Sequence, residues 1–242
     1  MANDGCWVPD WRLPPTVRAL QTTRLGGCSP APYASLNLGD HVGDAPLNVV
    51  RNRQRLALPC EPCWLKQVHG VAVVEAEGAA GLPEADASLT RRAGVVCAVM
   101  TADCLPVLLC DRQGTVVAAA HAGWRGLCDG ILERTVVAMR VPPDELQVWL
   151  GPAIGPSAFE VGAEVRAAFV ARQAEAAAAF IQTAPDKFHA DLWQLARLRL
   201  QAQGVTDIGG GGVCTFSDAQ HYFSYRRDGV TGRMASLIWL QA

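Results

Sequence analysis

The chain has 242 residues, half of them hydrophobic and 18% charged, and its 23 acidic and 21 basic side chains give a formal net charge of −2. That length buries a core as one domain, or two at most, and excludes a fibre or a disordered tail, while the absence of a basic excess argues against nucleic acid or an anionic membrane as partner. The longest apolar stretches, residues 95–100 and 116–120, fall far short of the roughly 18 residues that a membrane-spanning helix needs.

From the start of the chain, the stretch MANDGCWVPDWRLPP holds Asp4, Asp10 and three prolines where a secretory signal holds positive charge and then an apolar core. Export is not expected, and a cytoplasmic protein is. Nine cysteines, an odd number from Cys6 to Cys214 without regular spacing, fit small apolar core residues in a reducing compartment better than a disulfide framework.

Next come strand-like runs, β-branched or continuously apolar and bounded by Gly, Pro or Asp, at 71–74, 95–100, 107–110 and 115–120. Leu127, Ile131, Thr135 and Met139 recur every four residues and predict a helix over 127–139. A strand at 146–150 follows, then helical spacing around Val161, Val165 and Phe169, then a helix with Asp191 as N-cap that ends before Gly204, and a closing strand at 236–240. Strands and helices interleave without a long polar gap, which predicts a single α/β or α+β domain over 1–242, built as sheets covered by helices. The four glycines 209–212 lack the Lys-Ser/Thr of a phosphate loop and read as a turn. Cys60-Glu61-Pro62-Cys63 has no second pair and reads as a plain loop.

Loop chemistry concentrates at strand ends, where α/β proteins place their sites. Among five histidines, His121 ends the 115–120 run and precedes Ala122-Gly123-Trp124-Arg125-Gly126, a Gly-flanked turn feeding a helix. Cys104 follows Asp103 directly after the 95–100 run, and His69 precedes the 71–74 run. Two histidines and a cysteine from three strand ends can supply the protein ligands of a catalytic zinc. Equally, Cys104 and His121 can act as nucleophile and base with Asp103 as orienter. The separations match no short zinc spacing, so both readings stay open on spacing alone. Arg24, and Arg226 and Arg227 within Tyr225-Arg226-Arg227-Asp228, are guanidiniums suited to an anion or to solvated surface charge.

Taken in order, several segments resemble the YfiH-type laccase-domain family. They are Thr23-Arg24-Leu25-Gly26-Gly27, Ser35-Leu36-Asn37-Leu38-Gly39, His41-Val42-Gly43-Asp44, Lys66-Gln67-Val68-His69-Gly70 and Ala85-Asp86-Ala87. The series continues through Thr101-Ala102-Asp103-Cys104-Leu105-Pro106, His121-Ala122-Gly123-Trp124-Arg125-Gly126, Gly151-Pro152-Ala153-Ile154-Gly155-Pro156 and Phe223-Ser224-Tyr225-Arg226-Arg227-Asp228. Ser157-Ala158-Phe159 and Cys28 depart from the family pattern without touching the expected ligands.

The resemblance implies a layered α/β sandwich with mixed sheets and a metal, zinc ahead of copper, on His69, Cys104 and His121. It implies phosphorolysis of adenosine, inosine, guanosine and methylthioadenosine, and deamination of adenosine, with purine nucleosides and phosphate as the partners. Arg24, Asn37, Gln67, Arg125, Ser224 and Arg226 are then the expected substrate-binding residues, with Arg24, Arg125 and Arg226 as phosphate anchors. Asp103 is expected either to move the proton or to hold a ligand by a hydrogen bond. Three alternatives are a thiol hydrolase or amidase in peptidoglycan-precursor editing, a copper polyphenol oxidase with Met100 near the site, and a non-catalytic binding module. Five histidines are too few for a multicopper centre. A monomer is expected.

Overall fold

The structure, a computed structural model, describes residues 5–241. In chain order the elements are β1 (Cys6–Trp7), β2 (Val17–Thr22), α1 (Pro46–Gln54), β3 (Val73–Glu75), β4 (Ala87–Thr90), β5 (Val96–Thr101), β6 (Leu105–Asp111) and β7 (Val117–Ala122). Then follow α2 (Trp124–Asp129), α3 (Ile131–Met139), β8 (Leu146–Leu150), β9 (Glu160–Gly162), α4 (Ala163–Arg172), β10 (Phe180–Ala184), β11 (Lys187–Ala190), α5 (Leu192–Ala202), β12 (Asp207–Gly210), α6 (Tyr225–Asp228) and β13 (Met234–Leu240). They form a four-stranded sheet, β1-β2-β13-β5, a six-stranded sheet, β12-β8-β6-β7-β4-β3, and a small sheet, β10-β11-β9. The six-stranded sheet is mixed, with parallel pairs at both edges and antiparallel pairs between. This is the mixed, layered α/β architecture expected.

Why β6 and β7 read as unbroken apolar runs is visible in their packing. Side chains alternate between the faces of a strand, and a sheet covered on both faces needs apolar residues at every position. Val107 and Leu109 of β6 pack with Leu127, Ile131, Leu132 and Leu195 of the helices. Leu108 and Cys110, one residue out of phase, pack with Val17, Val99 and Ile238 of the four-stranded sheet. That sheet's outer face, carrying Val96, Ala98, Met100, Ala235 and Leu237, is covered by Leu36, Leu38, Leu56 and Trp64. By the same alternation, Cys97, Val99 and Thr101 of β5 turn toward the six-stranded sheet.

Between β2 and α1 there is little regular structure, and buried side chains hold the chain instead. Asn52 of α1 donates to Ser29 Oγ and to the Asn37 carbonyl, at 2.9 and 2.8 Å. Asp44 accepts from the Ser29 hydroxyl at 2.6 Å and from the Asn37 amide at 3.0 Å. Burial opposes the Asp44 charge, but the hydrogen bonds from Asn37, Ser29, Asn48 and the Ala45 N–H outweigh it and hold the carboxyl below its ordinary range.

Three local expectations meet the structure differently, and two are met. The helix expected over 127–139 is two, because Gly130 turns left-handed (φ 106°) between α2 and α3; its four recurring residues are nonetheless all buried. Val161 lies in β9, opposite Phe188, and only Val165 and Phe169 are helical. Gly209 and Gly210, expected in a turn, are paired in β12 with Trp149 and Leu150 of β8, where a side chain at 210 would collide with the Leu150 carbonyl. The Cys60–Cys63 segment is a loop of free thiols, as expected. Asp191 does cap α5, accepting the Gln194 N–H at 3.0 Å.

Two predictions follow from these contacts. Asp191→Ala should lower unfolding free energy by about 0.5–2 kcal/mol in a denaturant titration, the usual value of a lost N-cap. Because the Asp44 pKa is depressed in the folded state, its stabilising contribution is complete above the unfolded value of about 3.9 and is lost as pH falls through the folded value. Asp44→Asn should therefore lower Tm at pH 6 and make the fall in Tm between about pH 5 and pH 3 shallower.

Candidate metal centre

The C-terminal end of β7, the turn between β5 and β6, and the loop before β3 meet at one end of the two packed sheets. Register pairs Pro106 with His121 and Leu105 with Ala122, which sets Cys104 beside Gly123. His69 enters from its loop, with its ring edge-on to that of His121 at 4.8 Å and its Nε2 3.7 Å from Cys104 Sγ. One ligand atom from each of His69, Cys104 and His121 lies within 4.8 Å of the other two. A Cβ on Gly123 would come 2.6 Å from His69 Cδ2 and 3.1 Å from Cys104 Sγ, so the missing side chain is what lets the three converge. Among the described residues this is the sole group of three or more His, Cys, Asp or Glu side chains so placed.

Asp86 holds the group together. Its carboxylate, fully buried, accepts the His121 Nδ1–H at 2.8 Å and the backbone N–H groups of Val68, His69 and Gly70 at 3.2, 2.9 and 2.7 Å. A carboxylate can only accept here, so it fixes the proton on Nδ1 and leaves His121 Nε2 to face Cys104. The same bonds hold His69 at φ 61°, a left-handed conformation costly for a residue with a Cβ. Burial opposes the Asp86 charge, and the hydrogen bonds from His121, Gly70 and Val68 more than offset it, so the carboxyl is held below its ordinary range. Burial likewise opposes the Cys104 thiolate, yet His121 and His69 bring its pKa down; burial opposes the His121 imidazolium, yet Asp86 and Cys104 bring its pKa up. A thiolate between two imidazoles is a donor set for a divalent soft or borderline metal.

The three side chains line a cavity of about 450 Å³, shared with Gln67, Thr101, Tyr225 and Arg233. His41 and Met100 line it as well. Of the other expected site residues, Gln67 is in the wall, its amide doubly bonded to the Met100 backbone at 2.8 and 2.7 Å. Asp103, at φ 89°, turns its carboxylate to the Thr215 hydroxyl, the Ser224 hydroxyl and the Arg226 N–H at 2.7, 3.0 and 2.6 Å. Ser224 is thereby buried against Asp103 and also caps α6. Arg24 donates to the Ala34 and Ala219 carbonyls and stacks on Phe223. Asn37 is buried among Gly39, Asp44 and Arg233. Arg226 reaches the Glu160 carbonyl and Phe159, and Arg125 lies exposed against Trp124.

Sequence reasoning did not single out Asp86, Thr101 or Arg233 for any role. Asp86 stood within a resembling segment, and its place just before a strand was the only local signal. Arg233 carries none, since its position depends on contacts from the other end of the chain.

A family described as multi-copper polyphenol oxidoreductase laccase matches residues 18–241. The chain is 62% identical over 241 residues to a purine nucleoside phosphorylase of Pseudomonas aeruginosa, covering 98% of this chain and 99% of that protein. It is 57% identical over 238 residues to the purine nucleoside phosphorylase YfiH of Escherichia coli, covering 96% and 98%. Among solved structures, a Neisseria meningitidis protein, 54% identical, superposes with a TM-score of 0.95 over 99% of this chain and 100% of that one.

Because Asp86 orients His121 and pins the His69 loop, Asp86→Asn should weaken metal binding by about 10- to 100-fold. Competition against a chromogenic chelator measures it, and an unchanged affinity would show that Asp86 does not support the ligands.

Proposed function

The chain belongs to the multi-copper polyphenol oxidoreductase laccase family, of the YfiH type, and from that premise we propose that it is a zinc-dependent purine nucleoside phosphorylase that also deaminates adenosine. The observation that carries this reading is the meeting of His69, Cys104 and His121 at the wall of a cavity of about 450 Å³, within the range of small-molecule sites. The named activity of the relatives supplies the substrate class. Adenosine, inosine, guanosine and methylthioadenosine are the proposed nucleosides, taken by residues 1–242 acting as one cytoplasmic, monomeric domain.

Two imidazoles and a thiolate suit zinc, and His69, Cys104 and His121 would hold it. A zinc ion held there supplies Lewis acidity. His121 keeps its Nδ1 proton on Asp86 and presents Nε2; Cys104 presents a thiolate stabilised by both imidazoles. Tyr225, 61% exposed at the cavity, offers a ring on which a flat purine stacks. Asp103, with three donors on its two oxygens, acts as a positioning residue that ties the turn carrying Cys104 to the Thr215 and Ser224 segments. Gln67 positions the β5 end through Met100. Copper oxidase chemistry fits less well, because two histidines, not a larger imidazole set, converge here.

A second reading rests on the place of Cys104, whose Sγ lies 3.7 Å from His69 Nε2 and within 4.8 Å of a His121 ring nitrogen. The thiolate is the nucleophile of an amidase acting on cell-wall precursors, with His121 as its acid–base partner. The two readings part on metal dependence. The purified, metal-loaded protein is incubated with adenosine, with and without phosphate, and the products are separated by chromatography beside a Cys104→Ala control of confirmed fold. Adenine formed only with phosphate, and inosine formed without it, are the expected products. Cys104→Ala should lose bound metal and at least about 100-fold of both rates. Intact adenosine in both incubations, with Cys104 labelled by an electrophile whether or not a chelator is present, would move the assignment to the thiol hydrolase.

A further inference from the structure

The expected phosphate anchors do not reach the cavity. Arg24 and Arg226 are engaged with backbone carbonyls and aromatic rings, and Arg125 lies exposed on α2. Arg233 is the arginine that lines the cavity. Its Nη1 donates to the carbonyls of Thr231 and Gly232 at 3.1 and 3.0 Å. Among the described residues its Nε and Nη2 have no hydrogen-bond acceptor, and no carboxylate forms an ion pair with it. That free edge of the guanidinium is the one that grips a planar or tetrahedral oxyanion through two parallel bonds. Burial pulls the Arg233 pKa below its ordinary value, partly offset by the negative charges of Cys104 and Asp103. A half-buried cation with no carboxylate in direct contact is an arrangement that a bound anion relieves.

A second, independent observation lies beside it. Thr101 is 2% exposed, and its hydroxyl has no hydrogen-bond partner. Thr101 lines the same cavity and is the register partner of Met234, the residue after Arg233. Buried hydroxyls are nearly always paired, and this one belongs to a residue in the wall of the cavity that Arg233 lines. The chain is also shaped to hold Arg233 there. Its N–H donates to Asn37 Oδ1 at 2.9 Å, its carbonyl accepts the Leu38 N–H at 3.1 Å, and a Cβ on Gly39 would come 2.9 Å from its Cγ.

We propose that Arg233 and the Thr101 hydroxyl form an oxyanion subsite in this cavity, and that its occupant is the phosphate that attacks the nucleoside. The inference rests on the phosphorolysis reading above. Hydrogen phosphate, held on Nε and Nη2 of Arg233, forms the new C1′–O bond as the C1′–N9 bond breaks. The electron pair of that bond leaves on the purine, and the phosphate's proton passes to the purine, giving free base and ribose 1-phosphate. Asn37 is then a positioning residue for Arg233.

The test is a titration of the metal-loaded protein with inorganic phosphate by calorimetry, followed by phosphorolysis kinetics with phosphate varied at saturating inosine. Arg233→Met should abolish measurable phosphate binding and raise the KM for phosphate by about ten- to a hundredfold, while the KM for inosine and the bound metal change less than about twofold. Arg233→Lys should fall between the two, and Thr101→Val should raise the phosphate KM severalfold. An unchanged phosphate KM in Arg233→Met, or a rise confined to the inosine KM, overturns the subsite and leaves the phosphorolysis reading standing. Phosphate binding that depends on Arg233, in a protein that turns over no nucleoside, supports the subsite and overturns phosphorolysis. Lactate binding through Arg233 where phosphate does not bind overturns the assignment to phosphate.

Discussion

A single buried carboxylate organises the working end of this protein. Asp86 sits at the entry to β4, out of contact with solvent, and receives four hydrogen bonds, three from consecutive backbone N–H groups and one from the His121 ring. Buried charge is unfavourable unless hydrogen-bonded, and four donors satisfy it. In return the carboxylate fixes three otherwise independent variables, namely the path of the 68–70 loop, the left-handed backbone of His69 and the tautomer of His121. Cys104 needs no such help, because the β6–β7 register sets it beside Gly123. The placement of all three side chains thus follows from the protein's own hydrogen bonds and strand register.

The packing of the sheets explains why the site lies where it does. The six-stranded sheet is covered on one face by helices and on the other by the four-stranded sheet, so its central strands have no polar position to offer along their length. Polar chemistry is displaced to strand ends, where alternation still decides which side chains turn inward. His121 at the end of β7 and Thr101 at the end of β5 are both buried there and line one cavity. Small residues in β7, Val117-Ala118-Ala119-Ala120-His121-Ala122, allow close approach of the layers around them.

What could be read from the amino-acid sequence divides along the same line. β5 to β8 were legible because burial on both faces leaves a continuous apolar run, and α5 because Asp191 and Gly204 bracket it. The edge sheet β9–β11 was not, since β10 exposes all but its first residue and carries no apolar alternation. His69, Cys104 and His121 stood out as reactive residues at strand ends, and the family resemblance joined them. Asp103 could be read as a proton carrier or an anchor, because a carboxylate looks the same in sequence whether it faces substrate or backbone. Its three donors are visible only in three dimensions. Asn37 and Ser224 belong to the same class: polar residues in resembling segments whose hydrogen-bonding capacity is taken up inside the protein. Arg233 left no local trace, because the amide that holds it belongs to a residue 196 positions away.

That long separation bears on the order in which the molecule is assembled. β13 lies between β2 and β5 in its sheet, hydrogen-bonded to both, although it is the most C-terminal of the described strands. A ribosome has therefore synthesised past residue 234 before the middle of this sheet can be filled, and until then β2 and β5 have no neighbour along those edges. Contacts so distant in sequence slow folding, and unpaired strand edges expose a nascent chain to aggregation. His69, Cys104 and His121 are all synthesised by residue 121, yet the layer that walls their cavity closes only when β13 inserts. Synthesis of β13, rather than the appearance of those three side chains, is what makes the cavity whole.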